Sequence, residues 1–194
     1  MTTSPVVRGY VLTQSISFIE SDHFEPQMRR HMMESLPSDV VNALPGIKPQ
    51  QWYSRDLLVA LQRAVASSRD TEAGVYDILI AYGAHVCGEA TNTFLKLLLK
   101  ILTPALFAKK IPDFWQRDHR NSARFTVDVQ RADQGLIKMH MTDAAGFDHI
   151  AIPSMGFVLH ALTLMGKKNV RMTQQGWSLA TPGPNDVDYE VSWT

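Results

Sequence analysis

A chain of 194 residues with 19 Lys and Arg against 19 Asp and Glu carries no formal net charge. That balance supplies no overall field for a nucleic acid or an acidic membrane surface, and 45% hydrophobic residues exclude an intrinsically disordered chain. The length fits one domain that buries a core without covalent staples, and the single cysteine, Cys87, can form neither an internal disulfide nor a multi-cysteine zinc site.

The N-terminus lacks a basic stretch followed by an apolar one, so no secretory signal is expected. The most apolar run, FLKLLLKILTPALF, is interrupted by Lys96 and Lys100. It falls short of the ~20 apolar residues a membrane span requires. The expected location is the cytoplasm.

In chain order, VVRGYVLTQ (Val6 to Gln14) is rich in β-formers and reads as a first strand. FEPQMRRHMMESL reads as a helix, with Pro26 in its first turn and Phe24, Met28 and Met32 on one face. LPSDVVNALPG is a short helix. The next helix starts at Trp52-Tyr53-Ser54, with Ser54 as its N-cap and Leu57, Leu58, Leu61, Ala64 and Val65 inward. A long helix over Val75 to Leu102 follows from apolar residues at steps of three and four. Gly83 and Gly88 inside it mark a kink or a close helix contact. Thr103-Pro104 begins a short helix, and Ile111-Pro112-Asp113 begins another that runs to His119.

The period then changes from helical to alternating. RFTVDVQ and LIKMHMT form a hairpin across ADQG, IPSMGFVLHALTLMG is a helix, and NVRMT and VDYEVSW complete a ββ-α-ββ half. Each strand has one apolar and one polar face. The class is therefore α+β: helices packed on one face of a mainly antiparallel sheet of four to five strands, the other face being wet. One domain is expected over 1–194, helix-rich to residue 120 and sheet-rich from 121.

No phosphate loop, dinucleotide fingerprint, nucleophile elbow or zinc-protease helix motif occurs. Asp118-His119 and Asp148-His149 are chain neighbours, which do not face each other in a helix or a strand. His119 falls at a helix C-terminus, where a cation is favoured. Cys87 reads as a buried, inert thiol. Phe94, Leu98, Leu102, Phe107, Phe114, Trp115 and Phe157 are candidates to line an apolar pocket, with His119 beside them.

The string IPDFWQRDHRNSARFTVDV, the hairpin, GFVLHALTLMGKKNVRM and YEVSW resemble the C-terminal half of the 4-vinyl reductase domain superfamily. That superfamily includes ligand-sensing domains of bacterial aromatic-responsive regulators, Golgi transport complex subunits and haem nitric-oxide sensors. Over nearly its whole length the chain also resembles a bacterial paralogous family expanded in myxobacteria, through VRGYVLTQSISFI, PQQWYSRDLLVAL, FLKLLLKILTPALF and IPDFW. Relatives carry a Cys…Gly-Asp-x-x-Cys pattern similar to a zinc site. Here Gly183 is kept, but neither Trp177–Leu179 nor Val187 supplies a cysteine, so no zinc is expected. The haem sensors' Tyr-x-Ser-x-Arg signature is absent too, Tyr53-Ser54-Arg55-Asp56 having the wrong spacing. No cofactor is therefore expected, haem included.

The resemblance implies a non-enzymatic sensory or adaptor domain that binds a small apolar or aromatic ligand, or a signalling protein partner. The alternatives are a homodimeric interaction module built on the Met-rich helix (Met28, Met32, Met33), and an enzyme using His119 or His149 as an acid-base group. No nucleic-acid partner is expected.

Overall fold

The computed structural model describes residues 4–90, 99, 101–147, 149–176, 178 and 185–194. The chain opens with strand β1 (Val6–Arg8) and turns at once into helix α1 (Gly9–Glu20). The strand expected to reach Gln14 is thus only three residues long. Its continuation is prevented by the loop that follows residue 47. Gly9 N–H donates to the Gln51 carbonyl at 2.8 Å and Tyr10 N–H to that of Pro49 at 2.9 Å. A Cβ at position 9 would overlap the Lys48 carbonyl, which glycine alone permits. Val11, Leu12, Ser15, Phe18 and Ile19 then fall on one buried helical face.

Helices α2 (Pro26–Glu34) and α3 (Ser38–Ala43) lie where proline and the apolar spacing put them, and a 3-10 turn at Leu44–Gly46 ends this stretch. Trp52 and Tyr53 do not start a helix: they form strand β2 (Trp52–Ser54). Helix α4 (Arg55–Ala66) starts one residue later, capped by Ser54, whose hydroxyl oxygen accepts from Asp56 N–H at 3.2 Å. Replacing this exposed serine by alanine is expected to cost about 1 kcal/mol. The urea midpoint would fall with an unchanged slope.

Helix α5 spans Glu72–Ala90. The rest of the long helix expected to reach Leu102 falls largely outside the described residues, although Leu99 and Ile101 have helical backbone. Helix α6 (Pro104–Asp118) runs straight through Pro112, where a new helix was expected. An internal proline removes one backbone donor. Burial of Phe107, Ala108 and Ile111 before it, and packing of Phe114 and Trp115 against the core after it, hold the two parts together.

Strand β3 (His119–Arg120) pairs with β1, which also pairs with β2, giving a three-stranded antiparallel sheet in the order β2-β1-β3. The second sheet is the expected one: β4 (Arg124–Asp128), β5 (Leu136–Thr142), β6 (Arg171–Gln175) and β7 (Val187–Ser192), antiparallel throughout in the order β4-β5-β7-β6. The class is α+β, with the first strand in its own small sheet rather than at the edge of the large one. Ile137, Met139, Met141, Val187, Tyr189, Val191 and Trp193 face the core, and Lys138, His140, Asp188 and Glu190 face outward. Val187, where the sequence resemblance would place a cysteine, is buried on that inner face; Trp177, Leu179 and Gly183 lie outside the described residues.

Helix α7 (Ala151–Leu164) is the centre of the molecule. The Tyr189 hydroxyl donates to its Ala151 carbonyl at 3.3 Å from the sheet side. From the other side α5 crosses it at glycines. A Cβ on Gly83 would overlap the Pro153 carbonyl, and one on Gly156 would overlap that of Ile80. The close contact expected at Gly83 is therefore real. At Gly88 the backbones are not so close: a Cβ there would lie 3.6 Å from His160 Nε2, an ordinary van der Waals distance.

Candidate functional site

Between these helices, the small sheet and β4 lies an apolar cavity of about 160 Å³. Leu102, Phe107, Phe114, Trp115, His119 and Phe157, all singled out from the sequence, line it. Phe94 and Leu98, singled out with them, lie outside the described residues. The wall also includes Tyr10 and Val11 from α1, Gln62 from α4, Tyr82, Val86 and Cys87 from α5, the charged pair Arg117 and Asp118 from α6, Phe125 from β4 and Val158 and Ala161 from α7. Residues from both halves of the chain thus meet here.

Most polar groups on this wall are buried; the exception is Arg117, half-exposed and paired with Asp118 at 2.6 Å. The His119 ring stacks on Trp115, with centroids 3.8 Å apart and planes 7° from parallel. The Trp115 indole N–H is held by the Ala123 carbonyl, and Phe147 packs edge-on to both rings. His119 is only 8% exposed, and its Nδ1 is buried with no hydrogen-bond partner. Burial, only partly opposed by Asp118, pushes its pKa down to about 4. The expected cationic helix cap is corrected by this placement. The His119 backbone N–H does bond the Trp115 carbonyl, but its side chain is turned into the core and neutral.

Gln62 was not anticipated. It is 2% exposed, on the buried face of α4 between Leu58 and Val65, and its Oε1 also has no partner. A glutamine at an apolar register position was the available signal. Tyr82 shares a 2.6 Å hydrogen bond with Ser15, and burial pushes its phenol up to about 12. The Cys87 thiol is likewise pushed up to about 12 by burial, so it is not a thiolate at neutral pH. Two unpaired polar atoms on one apolar wall call for an occupant, whether water or ligand.

The buried imidazole has a pH consequence. Its folded pKa, about 4, lies below the ordinary imidazole value of 6.5. Between those values the unfolded chain holds the extra proton. Stability is therefore expected to fall as pH drops from about 6.5 to 4, by up to about 1.4 kcal/mol per pH unit. Urea titrations across this range should show that slope in the wild type, and His119→Phe should flatten it.

On the outer face of the large sheet, His140 Nδ1 lies 2.7 Å from Asp188 Oδ1 and Lys138 Nζ lies 3.7 Å from Glu190 Oε2. The His140–Asp188 pair joins residues 48 positions apart through the β5–β7 register, which adjacent-residue reasoning could not see. His149 is not on the cavity wall. Among the described residues no group of three or more His, Cys, Asp and Glu could hold a metal ion, and no helix is long and apolar enough to cross a membrane.

No family model and no curated protein matches the chain. Solved structures do. An H-NOX protein from K. algicida, in the Fe(II) unliganded state, is 12% identical with a TM-score of 0.72, covering 96% of both chains. An H-NOX protein from S. oneidensis in the Fe(II)NO state is 11% identical with a TM-score of 0.69, covering 96% of this chain and 99% of that one. The H-NOX from Shewanella woodyi, bound to IWP-051 in the Fe(II)CO state, is 17% identical with a TM-score of 0.57, covering 96% and 94%. The α+β fold is therefore that of H-NOX proteins. It agrees with the resemblance to haem nitric-oxide sensors at the level of fold.

The cofactor expectation is corrected by these neighbours. No cofactor was expected, and haem was set aside because the Tyr-x-Ser-x-Arg string is missing. Yet the fold is one solved repeatedly with iron and its gaseous ligands. One absent string says nothing about a pocket assembled from seven elements. The donor set fits haem in kind: His119 offers a neutral imidazole with a free Nδ1, one of the side chains that hold haem iron.

Proposed function

We propose that this chain is a non-catalytic sensory domain that binds a small apolar or aromatic ligand in the cavity between α1, α4, α5, α6 and α7. The single observation that carries this is a largely apolar cavity on whose wall two buried polar atoms, His119 Nδ1 and Gln62 Oε1, have no partner. A cavity of ~150 Å³ lined by apolar side chains takes a benzene-sized guest, so a single ring matches the space as it stands. The neutral state of His119, Tyr82 and Cys87 suits an uncharged ligand.

Haem is the larger occupant that the fold implies. His119 would hold its iron, and Phe107, Trp115 and Phe157 would shield its faces from water. When bound, haem supplies an iron that takes a diatomic gas, as in the Fe(II)NO state of the S. oneidensis protein. Kinship with the 4-vinyl-reductase-like and myxobacterial families belongs to the same proposal, as does signalling to a protein partner or a second copy.

A ligand signals only if it binds two states with different affinity. Native mass spectrometry of the purified protein tests occupancy. Mass in excess of the chain, lost on denaturation, is expected. Hemin titration of the stripped protein distinguishes the two occupants: a sharp Soret shift that disappears in His119→Ala identifies haem, and no shift identifies the smaller ligand. A bare mass, together with no gain in thermal midpoint from any single-ring aromatic, would contradict the proposal.

A further inference from the structure

The outer face of the small sheet carries an unusual group of side chains. Antiparallel register places Trp52 opposite Arg8, and both Ser54 and Arg120 opposite Val6. Val6 and Arg8 point to the same face because strand side chains alternate, so Arg8, Trp52 and Arg120 share it. The guanidinium carbon of Arg120 lies 4.1 Å from the Trp52 ring centroid, and that of Arg8 lies 5.7 Å from it. Stacking on an indole uses the face of a guanidinium and leaves its edge donors open for a bidentate oxyanion.

Those donors are nearly idle. Arg55, Arg117 and Arg124 each lie within 4 Å of a carboxylate, at 3.8, 2.6 and 3.9 Å. Neither Arg8 nor Arg120 forms such a pair among the described residues. Arg8 makes one long bond, Nη2 to Gln50 Oε1 at 3.3 Å, and its Nε–H is shielded from water with no acceptor. Arg120 is exposed and Arg8 and Trp52 are half-buried. Two fixed guanidiniums on one indole, in a chain with no net charge, make a local positive site of defined geometry.

We propose that this face docks an acidic segment of a partner protein, with Arg8 and Arg120 receiving its carboxylates and Trp52 packing against its apolar atoms. Two guanidiniums are too few for a nucleic-acid surface, whose affinity grows with the number of phosphates neutralised. Tryptophan and arginine are the residues that dominate protein interfaces when they sit together at the centre. The placement also gives the face a route to the cavity. Val7, paired with His119, is fully buried on the inner side, so a ligand that moves His119 moves the strand that carries Arg120. That coupling rests on the cavity being the ligand site; the docking itself does not.

The test uses the whole chain and a fluorescein-labelled hexaglutamate peptide, with a hexaglutamine peptide as control, read by fluorescence polarisation at low and at physiological salt. Binding of hexaglutamate alone is expected, weakened by salt. The Arg8→Gln/Arg120→Gln double variant should lose about ten-fold or more in affinity. Arg30→Gln/Arg171→Gln, which removes two exposed arginines elsewhere, should bind as the wild type does. Circular dichroism checks that both variants are folded. Equal binding of the two peptides, or an unchanged affinity in the Arg8/Arg120 variant, would overturn the proposal. Displacement of the peptide by low-millimolar inorganic phosphate would also overturn it, in favour of a small-anion site. Stripping the cavity should leave peptide affinity measurable, so failure here and failure of the cavity reading are distinguishable.

Discussion

Gly156→Val is expected to lower stability by about 3 kcal/mol or more, the upper range for forced overpacking. Position 156 lies where α7 meets α5 backbone to backbone. An added Cβ would overlap the Ile80 carbonyl and come within 3.1 Å of Ala84 N. Neither atom belongs to a flexible side chain, so nothing can step aside. Gly83 stands in the same relation to the Pro153 carbonyl from the facing helix. Glycine in a helix ordinarily costs about 1 kcal/mol against alanine. Here that cost is offset by the close approach of two helices and the burial of Met155, Val158 and Leu79 around the crossing. Gly88→Ala is the matched control, because a Cβ there has ordinary room. It is expected to be neutral or to stabilise by up to about 1 kcal/mol. Urea unfolding of both variants separates a packing constraint from a general intolerance of helix substitutions.

The second large effect is on binding. Ala161 is fully buried and lies on the cavity wall. Ala161→Phe introduces a phenyl ring beside a space that holds about one ring. It is expected to abolish binding of single-ring ligands and to shift the unfolding midpoint little, because the added ring fills a void instead of displacing neighbours. The wild type, at a free ligand concentration of ~100 Kd, should gain about 2.7 kcal/mol of apparent stability, and Ala161→Phe none. Melts with and without toluene read both quantities.

Much of the fold is legible in the sequence because its elements announce their period. RFTVDV and LIKMHMT alternate, and they pair in the expected hairpin with Val127 opposite Met139. Residues Ile152, Met155 and Leu162 mark α7 as a buried helix. The small sheet is not legible, since its strands have two or three residues and show no alternation to read. Trp52 and Tyr53 look like the start of a helix because the cap, Ser54, follows them; the Tyr53 hydroxyl instead accepts from Lys48 N–H at 2.7 Å and pins the loop that ends β1. Pro112 looks like a boundary because local chemistry says so, and tertiary burial overrides it.

The site divides along the same line. Aromatic and aliphatic wall residues such as Phe107, Trp115 and Phe157 can be picked by type and helical spacing. The state of His119 cannot. Its neutrality comes from Trp115 and Phe147 closing over it, and the chain order suggests only a helix end. Gln62 becomes notable only when its Oε1 is found without a partner. Haem is not legible from short strings for the same reason: they report local sequence, whereas the fold shared with H-NOX proteins spans 96% of the chain at about 12% identity.

The most direct test of the cavity as a ligand site is isothermal titration of benzene into lipophile-stripped wild-type protein and into Ala161→Phe. One binding event per chain in the wild type, absent from the variant, is the predicted result. No binding in the wild type, or equal binding in both proteins, would contradict the account.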